Sequence, residues 1–275
     1  MKIFLTGATG FLGKSIVEYL PNNEYCLYSR GENVTNKLNY FSPDVIIHSA
    51  GEIYNELEMY KSNILLTEDI LNWVSVNDVK LIYFGSSSEY GKVDKHMSES
   101  DECFPVSMYA LTKLLGTKRC QQLARLEFKD IKIIRPFSVF GPNEPERRLI
   151  PTLYNNLFKG LPIKIIEGSH DFVYIKDFIR AVETILNGPI TYGQIYNVGS
   201  GTSYTNREVF HKMVNLMGIK NPDVTFINEK KKCDSEFWIC DNSKIKKTFD
   251  FNFEYTLDSG LREYIYWKQN LCQQN

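Results

Sequence analysis

Short apolar runs alternate with longer amphipathic stretches over the first half of the chain. KIFLTG, YCLYS, DVIIHSA and KLIYFGS are nearly continuous in apolar character, as strands buried on both faces are. Between them, apolar residues recur at helical spacing from about Phe11 to Leu20 and around Ser62 to Val76. A further helical pattern, YALTKLLGTKRCQQLARLEF, precedes IKIIRPFSVFG, which reads as one strand. Strand alternating with helix predicts an α/β protein with a parallel sheet covered on both faces. Only a short link separates YCLYSR from DVIIHSAG.

The texture changes after Gly141-Pro142. NEPERRLIPTLYNNLFKGLPIKII mixes helix-like and strand-like pieces divided by Pro and Gly, and two more helical stretches follow, around EVFHKMVNLMG and LDSGLREYIYWKQ. The expected organisation is a first domain over residues 1–141 and a smaller α+β lobe over 142–275. QIYNVGSG, near residues 194–200, reads as a strand that returns to the first sheet. No internal repeat or low-complexity tract interrupts this plan.

Composition narrows the class. At 275 residues, 43% of them hydrophobic, the chain can bury a substantial core. Lys plus Arg number 32 against 33 for Asp plus Glu, so no net field attracts nucleic acid or an anionic membrane. No run reaches the length of a membrane span and the N-terminus does not read as a signal peptide, so a cytoplasmic protein is expected. The six cysteines form no CxxC pair and the four histidines lack ligand spacing, so no metal site is indicated.

Gly7, Gly10 and Gly13, in IFLTGATGFLGKSIVEYL, stand on the turn from the first strand into the first helix. Glycine there lets the chain turn sharply, lets a pyrophosphate approach main-chain N–H groups, and brings helix and strand close, with the helix N-terminus facing the anion. This strand-turn-helix context points to a dinucleotide cofactor in a doubly wound, Rossmann-type sheet. The second strand ends in Ser29 and Arg30, where an acidic residue would hold the ribose hydroxyls of NAD. A guanidinium and a hydroxyl suit a 2′-phosphate, so NADP is preferred and NAD is the alternative.

GSSSEYG, residues 85–91, ends the KLIYF strand with three hydroxyls. Capping accounts for most such serines. A second signal raises Ser86 above that level: Tyr109 and Lys113 lie one helical turn apart at the start of the helix that follows, at the carboxyl edge of the sheet where open α/β folds bind ligands. Tyr264 and Lys268 repeat the spacing, but in a terminal amphipathic helix where packing is the expected role. An ammonium beside a phenol should lower the phenol pKa, and Tyr109 would then exchange a proton with a substrate oxygen that Ser86 polarises. Lys113 would also grip the nicotinamide ribose.

The series TGATGFLG, DVIIHSAG, YFGSSSEYG, YALTK, IRPFSVFGP, DFVYIKDFIRA and IYNVGSG resembles the extended short-chain dehydrogenase/reductase family, in its nucleotide-sugar epimerase, dehydratase and reductase branch. The resemblance covers nearly the whole chain. It implies that Ser86, Tyr109 and Lys113 are catalytic and that Gly7, Thr9, Gly10, Phe11, Leu12, Gly13, Ser29, Arg30, Ala50, Tyr109, Lys113 and Pro136 face the cofactor. It also implies a C-terminal lobe holding a nucleoside diphosphate sugar, contacted by Ser87, Ser88, Ser138, His170 and Lys231, and a homodimer joined by helices. Ser87 and Ser88 replace the Asp-Glu pair of the family's 4,6-dehydratases, which disfavours dehydration. Ser138 stands for a usual Asn, His170-Asp171 for a usual Arg-Asp, and Lys231 for a frequent phosphate-binding Arg; the run Lys230 to Lys232 also suits a solvated basic turn.

Three functions compete at this level. The first is an NADPH-dependent 4-keto sugar-nucleotide reductase; the second is an NAD-dependent 4-epimerase; the third is a non-catalytic dinucleotide sensor on the same fold. An intact Ser86, Tyr109 and Lys113 argues against the sensor, and Arg30 favours the reductase.

Overall fold

Six of the apolar runs meet in one sheet. The computed structural model describes residues 1–228 and 238–274. In chain order the first half contains β1 (Lys2–Thr6), α1 (Phe11–Tyr19), β2 (Glu24–Tyr28), α2 (Val34–Phe41), β3 (Val45–His48), α3 (Glu56–Met59), a π-helical turn (Tyr60–Leu65), α4 (Leu66–Val76), β4 (Lys80–Phe84), a 3₁₀ turn (Ser87–Tyr90), α5 (Met108–Glu127) and β5 (Ile131–Pro136). The remainder contains β6 (Ser138–Phe140), α6 (Leu149–Lys159), β7 (Ile163–Ile166), β8 (Ser169–Tyr174), α7 (Ile175–Asn187), β9 (Tyr192–Val198), β10 (Ser203–Thr205), α8 (Asn206–Met217), β11 (Val224–Ile227), α9 (Ser243–Phe249) and α10 (Leu257–Gln274).

The main sheet runs β2-β1-β3-β4-β5-β9, with every pair parallel. Side chains alternate between its faces, which explains the unbroken apolar runs. Ile3, Leu5, Val45, Ile47, Ile82 and Phe84 join one buried cluster with α1 and α7. Phe4, Ile46, Leu81 and Tyr83 join another with α2, α4 and α5. The order reverses between β1 and β3, and a crevice at the carboxyl ends of such a pair is where doubly wound sheets bind ligands.

The smaller region carries a sheet β10-β8-β6 and a pair β11-β7. Helices α6, α8 and α10 pack beside one another there. The strand anticipated near 194–200 is β9, paired to β5 in the main sheet.

Three local expectations change. IKIIRPFSVFG is two strands: Pro136 closes β5, Val139 N–H turns back onto the Phe137 carbonyl at 2.8 Å, and β6 pairs with β8 in the other sheet. Proline supplies no ladder donor, so the sheet has a natural break there. The short link between β2 and β3 holds α2, opened by the Asn33 side chain accepting from Asn36 N–H at 2.9 Å. The helix expected around Ser62 begins earlier, at Glu56, and passes through the π-helical turn before α4.

Candidate active site

The first turn opens at Gly7, whose φ of +75° and lack of a Cβ are both required: a Cβ there would lie 2.7 Å from the Ala50 nitrogen. At Gly13 it would lie 2.2 Å from the Gly7 carbonyl oxygen, so helix and turn touch backbone to backbone. The Gly10 cap of α1 makes no side-chain hydrogen bond to the helix, and the first-turn N–H groups, with Phe11 and Leu12 among their residues, lack intrahelical partners. This cradle fits a dinucleotide pyrophosphate. A cavity of about 490 Å³ lies over it, lined by Gly7, Thr9, Gly10, Ser29, Arg30 and Ala50 of the expected cofactor set. Phe11 and Leu12 pack against the core behind it, and Pro136 ends β5.

At the end of β4, Ser86 meets both demands that its position raised. Its side chain accepts from Ser88 N–H at 3.1 Å as the cap of the 3₁₀ turn, and its hydroxyl lies near enough to the Tyr109 phenol to work against the upward shift of that phenol. Ser86 N–H donates to Glu89 Oε1 at 2.8 Å, which Thr117 also reaches at 3.0 Å. The other Glu89 oxygen pairs with Arg135 on β5 at 2.8 Å, both side chains being essentially inaccessible. Arg135 in turn covers the Tyr90 ring at 4.5 Å. A buried ion pair therefore anchors the turn that carries Ser86, although Glu89 and Arg135 carry no sequence signal separating them from an ordinary turn acid and strand arginine.

Tyr109 enters on the first turn of α5, which Ser107 opens by accepting from Ala110 N–H at 3.2 Å. Lys113 follows on the same face, buried, with Nζ donating to the Phe84 carbonyl at 2.8 Å and the Ala50 carbonyl at 3.3 Å. Here the electrostatic expectation is corrected. Burial pushes the Tyr109 phenol up from its ordinary value, the Ser86 hydrogen bond working against it, and burial pulls Lys113 down to about 8. The ammonium is spent on carbonyls at the ends of β3 and β4, so it does not make the phenol acidic.

A buried hydrogen-bond chain that the sequence reading missed ties the two halves of the site. Thr6 Oγ1 meets His48 Nδ1 at 2.7 Å, and His48 Nε2 meets Thr67 at 2.9 Å. Thr67 donates to the Asn63 carbonyl at 2.8 Å, and the Asn63 amide donates to Thr112 at 3.0 Å, on α5 between Tyr109 and Lys113. Burial, with the nearby Lys113 charge, lowers the His48 pKa to about 3, so this histidine is a neutral linker. The π-helical turn places Asn63 within reach, as such turns do at functional sites.

On the other wall, Ser87 is buried and Ser88 partly so. Ser138 and His170 lie on the adjacent strands β6 and β8, and His170 faces Trp238 with ring centroids 6.3 Å apart. Glu144 is buried behind Arg148, paired at 3.1 Å, and the Arg147 guanidinium stacks 3.9 Å over the Tyr54 ring, joining the loops after β6 and β3. Lys231 lies outside the described residues. Among those residues, no group of three or more His, Cys, Asp or Glu is placed to hold a metal, and no helix is long and apolar enough to cross a membrane.

A family profile described as the NAD dependent epimerase/dehydratase family matches residues 3–199. The chain belongs to that family. It is 25% identical to the GDP-L-colitose synthase of Yersinia pseudotuberculosis over 298 residues, covering 95% of this chain and 96% of that protein. UDP-glucuronic acid 4-epimerase from Bacillus cereus, solved with UDP-glucuronic acid and NAD, superposes with a TM-score of 0.88 at 21% identity, over 98% of this chain and 100% of that one. RMD from Pseudomonas aeruginosa, solved with NADPH, gives 0.85 at 21%, over 98% and 99%. The protein is thus an NAD(P)-dependent enzyme of the extended epimerase/dehydratase type, and nucleotide sugars are bound by its structural relatives.

Proposed function

We propose that this enzyme is an NADPH-dependent reductase of a 4-keto sugar nucleotide. The observation that carries this reading is Arg30 lining the same cavity as the glycine turn, where a 2′-phosphate would lie. When bound, the cofactor supplies a hydride to the C4 carbonyl carbon. The glycine turn and the α1 N-terminus hold its pyrophosphate, and Lys113, fixed by the Phe84 and Ala50 carbonyls, orients the ribose beside the reacting centre. Ser86 donates to the ketone oxygen as charge develops on it. Tyr109 then gives that oxygen its phenolic proton, leaving an alcohol.

Ser87 and Ser88 offer no acid-base pair for dehydration. The division of labour that we infer gives residues 1–141 and β9 to the cofactor and the rest, including Ser138, His170 and Lys231, to the nucleotide sugar. A homodimer through α5 and the π-helical turn before α4 belongs to the same proposal: Met108, Leu111 and Leu115 stand exposed on the helix and Leu65 on the turn packed against it.

One observation favours the NAD-dependent 4-epimerase as a second reading: Arg30 is already paired with two carboxylates, Glu58 at 3.2 Å and Glu52 at 3.6 Å. Incubation with a 4-keto sugar nucleotide decides between them. Stoichiometric loss of NADPH is expected; interconversion of ordinary sugar nucleotides with no net NADPH loss establishes the epimerase instead. Tyr109→Phe should bind cofactor normally while turnover falls at least ~10²-fold, the usual loss on removing a positioned proton donor.

A further inference from the structure

The rim of the cofactor cavity carries a charge cluster that the catalytic residues do not use. Arg30, in the loop after β2, reaches Glu58 Oε2 at 3.2 Å. Lys61, on the π-helical turn, donates to the other oxygen, Glu58 Oε1, at 2.9 Å. One carboxylate thus holds two cations, one on each oxygen, and all three residues line the cavity that begins at the glycine turn. The Lys61 hydrogen bond, reinforced by the Lys61 and Arg30 charges, keeps the Glu58 carboxyl below its ordinary range.

The second carboxylate near Arg30 is different in kind. Glu52 Oε1 accepts the N–H groups of Ile53 and Tyr54 at 3.0 and 2.9 Å and of Asn55 at 3.4 Å, and its own backbone is pinned by the Asn63 amide. Glu52 is committed to its loop. Glu58 is held by the two cations through its carboxylate, so it is the partner that an incoming anion can replace. Two cations that share a carboxylate present converging charge, and a phosphate monoester offers more charge and more acceptor oxygens to the same pair.

Resting on the NADP reading above, we propose that Glu58 and Lys61 set the cofactor preference. Glu58 holds Arg30 and Lys61 together at the adenosine end of the cavity, the 2′-phosphate displaces it from both, and Lys61 becomes the second cation of the phosphate site. Glu58 then opposes the phosphate by its remaining charge, which moderates the preference for NADP(H) over NAD(H).

Calorimetric titration with 2′,5′-ADP and 5′-AMP tests this without any turnover. Wild-type protein should prefer 2′,5′-ADP. Glu58→Gln should bind 2′,5′-ADP about tenfold more tightly and Lys61→Met about tenfold more weakly, the scale of one charge-assisted contact, with 5′-AMP unchanged in both. Glu58 and Lys61 are both partly exposed, and thermal unfolding of the two variants verifies that they fold. Weaker 5′-AMP binding by Glu58→Gln overturns the proposal by making Glu58 a ribose-hydroxyl acceptor. A wild-type preference left unaltered in both variants overturns the roles of Glu58 and Lys61 while the NADP reading stands. Equal binding of the two fragments by wild-type protein overturns the NADP reading itself and the proposal with it.

Discussion

At the scale of single residues, several side chains serve two masters, and burial decides which property each shows. Ser86 caps the 3₁₀ turn and its hydroxyl works against the upward shift of the Tyr109 phenol, so its place in a serine run was legible while its cap geometry was not. Glu144 shows burial setting a titration. Its carboxyl is raised to about 7 from an ordinary 4.5, chiefly by burial, and Oε2 has no hydrogen-bond partner. The folded protein therefore holds this proton more tightly than the unfolded chain does. Stability drawn from it is fully present below pH ~4.5 and is lost as pH rises through ~7. Glu144→Gln removes the titration: its stability relative to wild type should improve by roughly 2–3 kcal/mol between pH 5 and 7.5. Urea denaturation at the two pH values measures this, and parallel behaviour of the two proteins would show that Glu144 does not titrate in that window.

At the scale of elements, α5 is the piece whose placement matters most, because it carries Tyr109, Thr112 and Lys113 together. Gly116 lets it approach β4: a Cβ there would lie 2.1 Å from the Tyr83 hydroxyl oxygen. Gly116→Ala should push the helix off the sheet, costing about 1–3 kcal/mol of stability. Turnover should fall as the phenol is displaced, while 2′,5′-ADP still binds, since Arg30 and Lys61 do not lie on α5. Thermal unfolding with steady-state kinetics tests this; unchanged turnover would mean that the helix tolerates the shift. Context also separates the two Tyr-Lys pairs. Tyr264 is wholly buried in α10 and Lys268 bonds Glu146 at 2.6 Å, the packing role expected there.

At the scale of the whole molecule, the exposed leucines of α5 and the π-helical turn define the surface proposed to join two copies. Replacing Leu111 and Leu115 by Glu should leave a folded monomer, since both lie outside the core. Sedimentation at micromolar concentration should show a dimer for wild type and half that mass for the double variant. A wild-type protein that sediments as a monomer removes the dimer from the proposal.

Local signals in the chain determined the glycine turn, the alternation of strand and helix, and the spacing of Tyr109 and Lys113, because each rests on backbone sterics or periodicity over a few residues. Tertiary structure alone decided which charges meet. Glu89 with Arg135 is a contact across 46 positions, and Arg30 with Glu58 one across 28, and no local pattern encodes such partners. The partner of Lys113 was likewise decided in three dimensions: spacing puts its ammonium one turn from a phenol, but the carbonyls of Ala50 and Phe84 take its hydrogen bonds, and burial raises the phenol rather than lowering it.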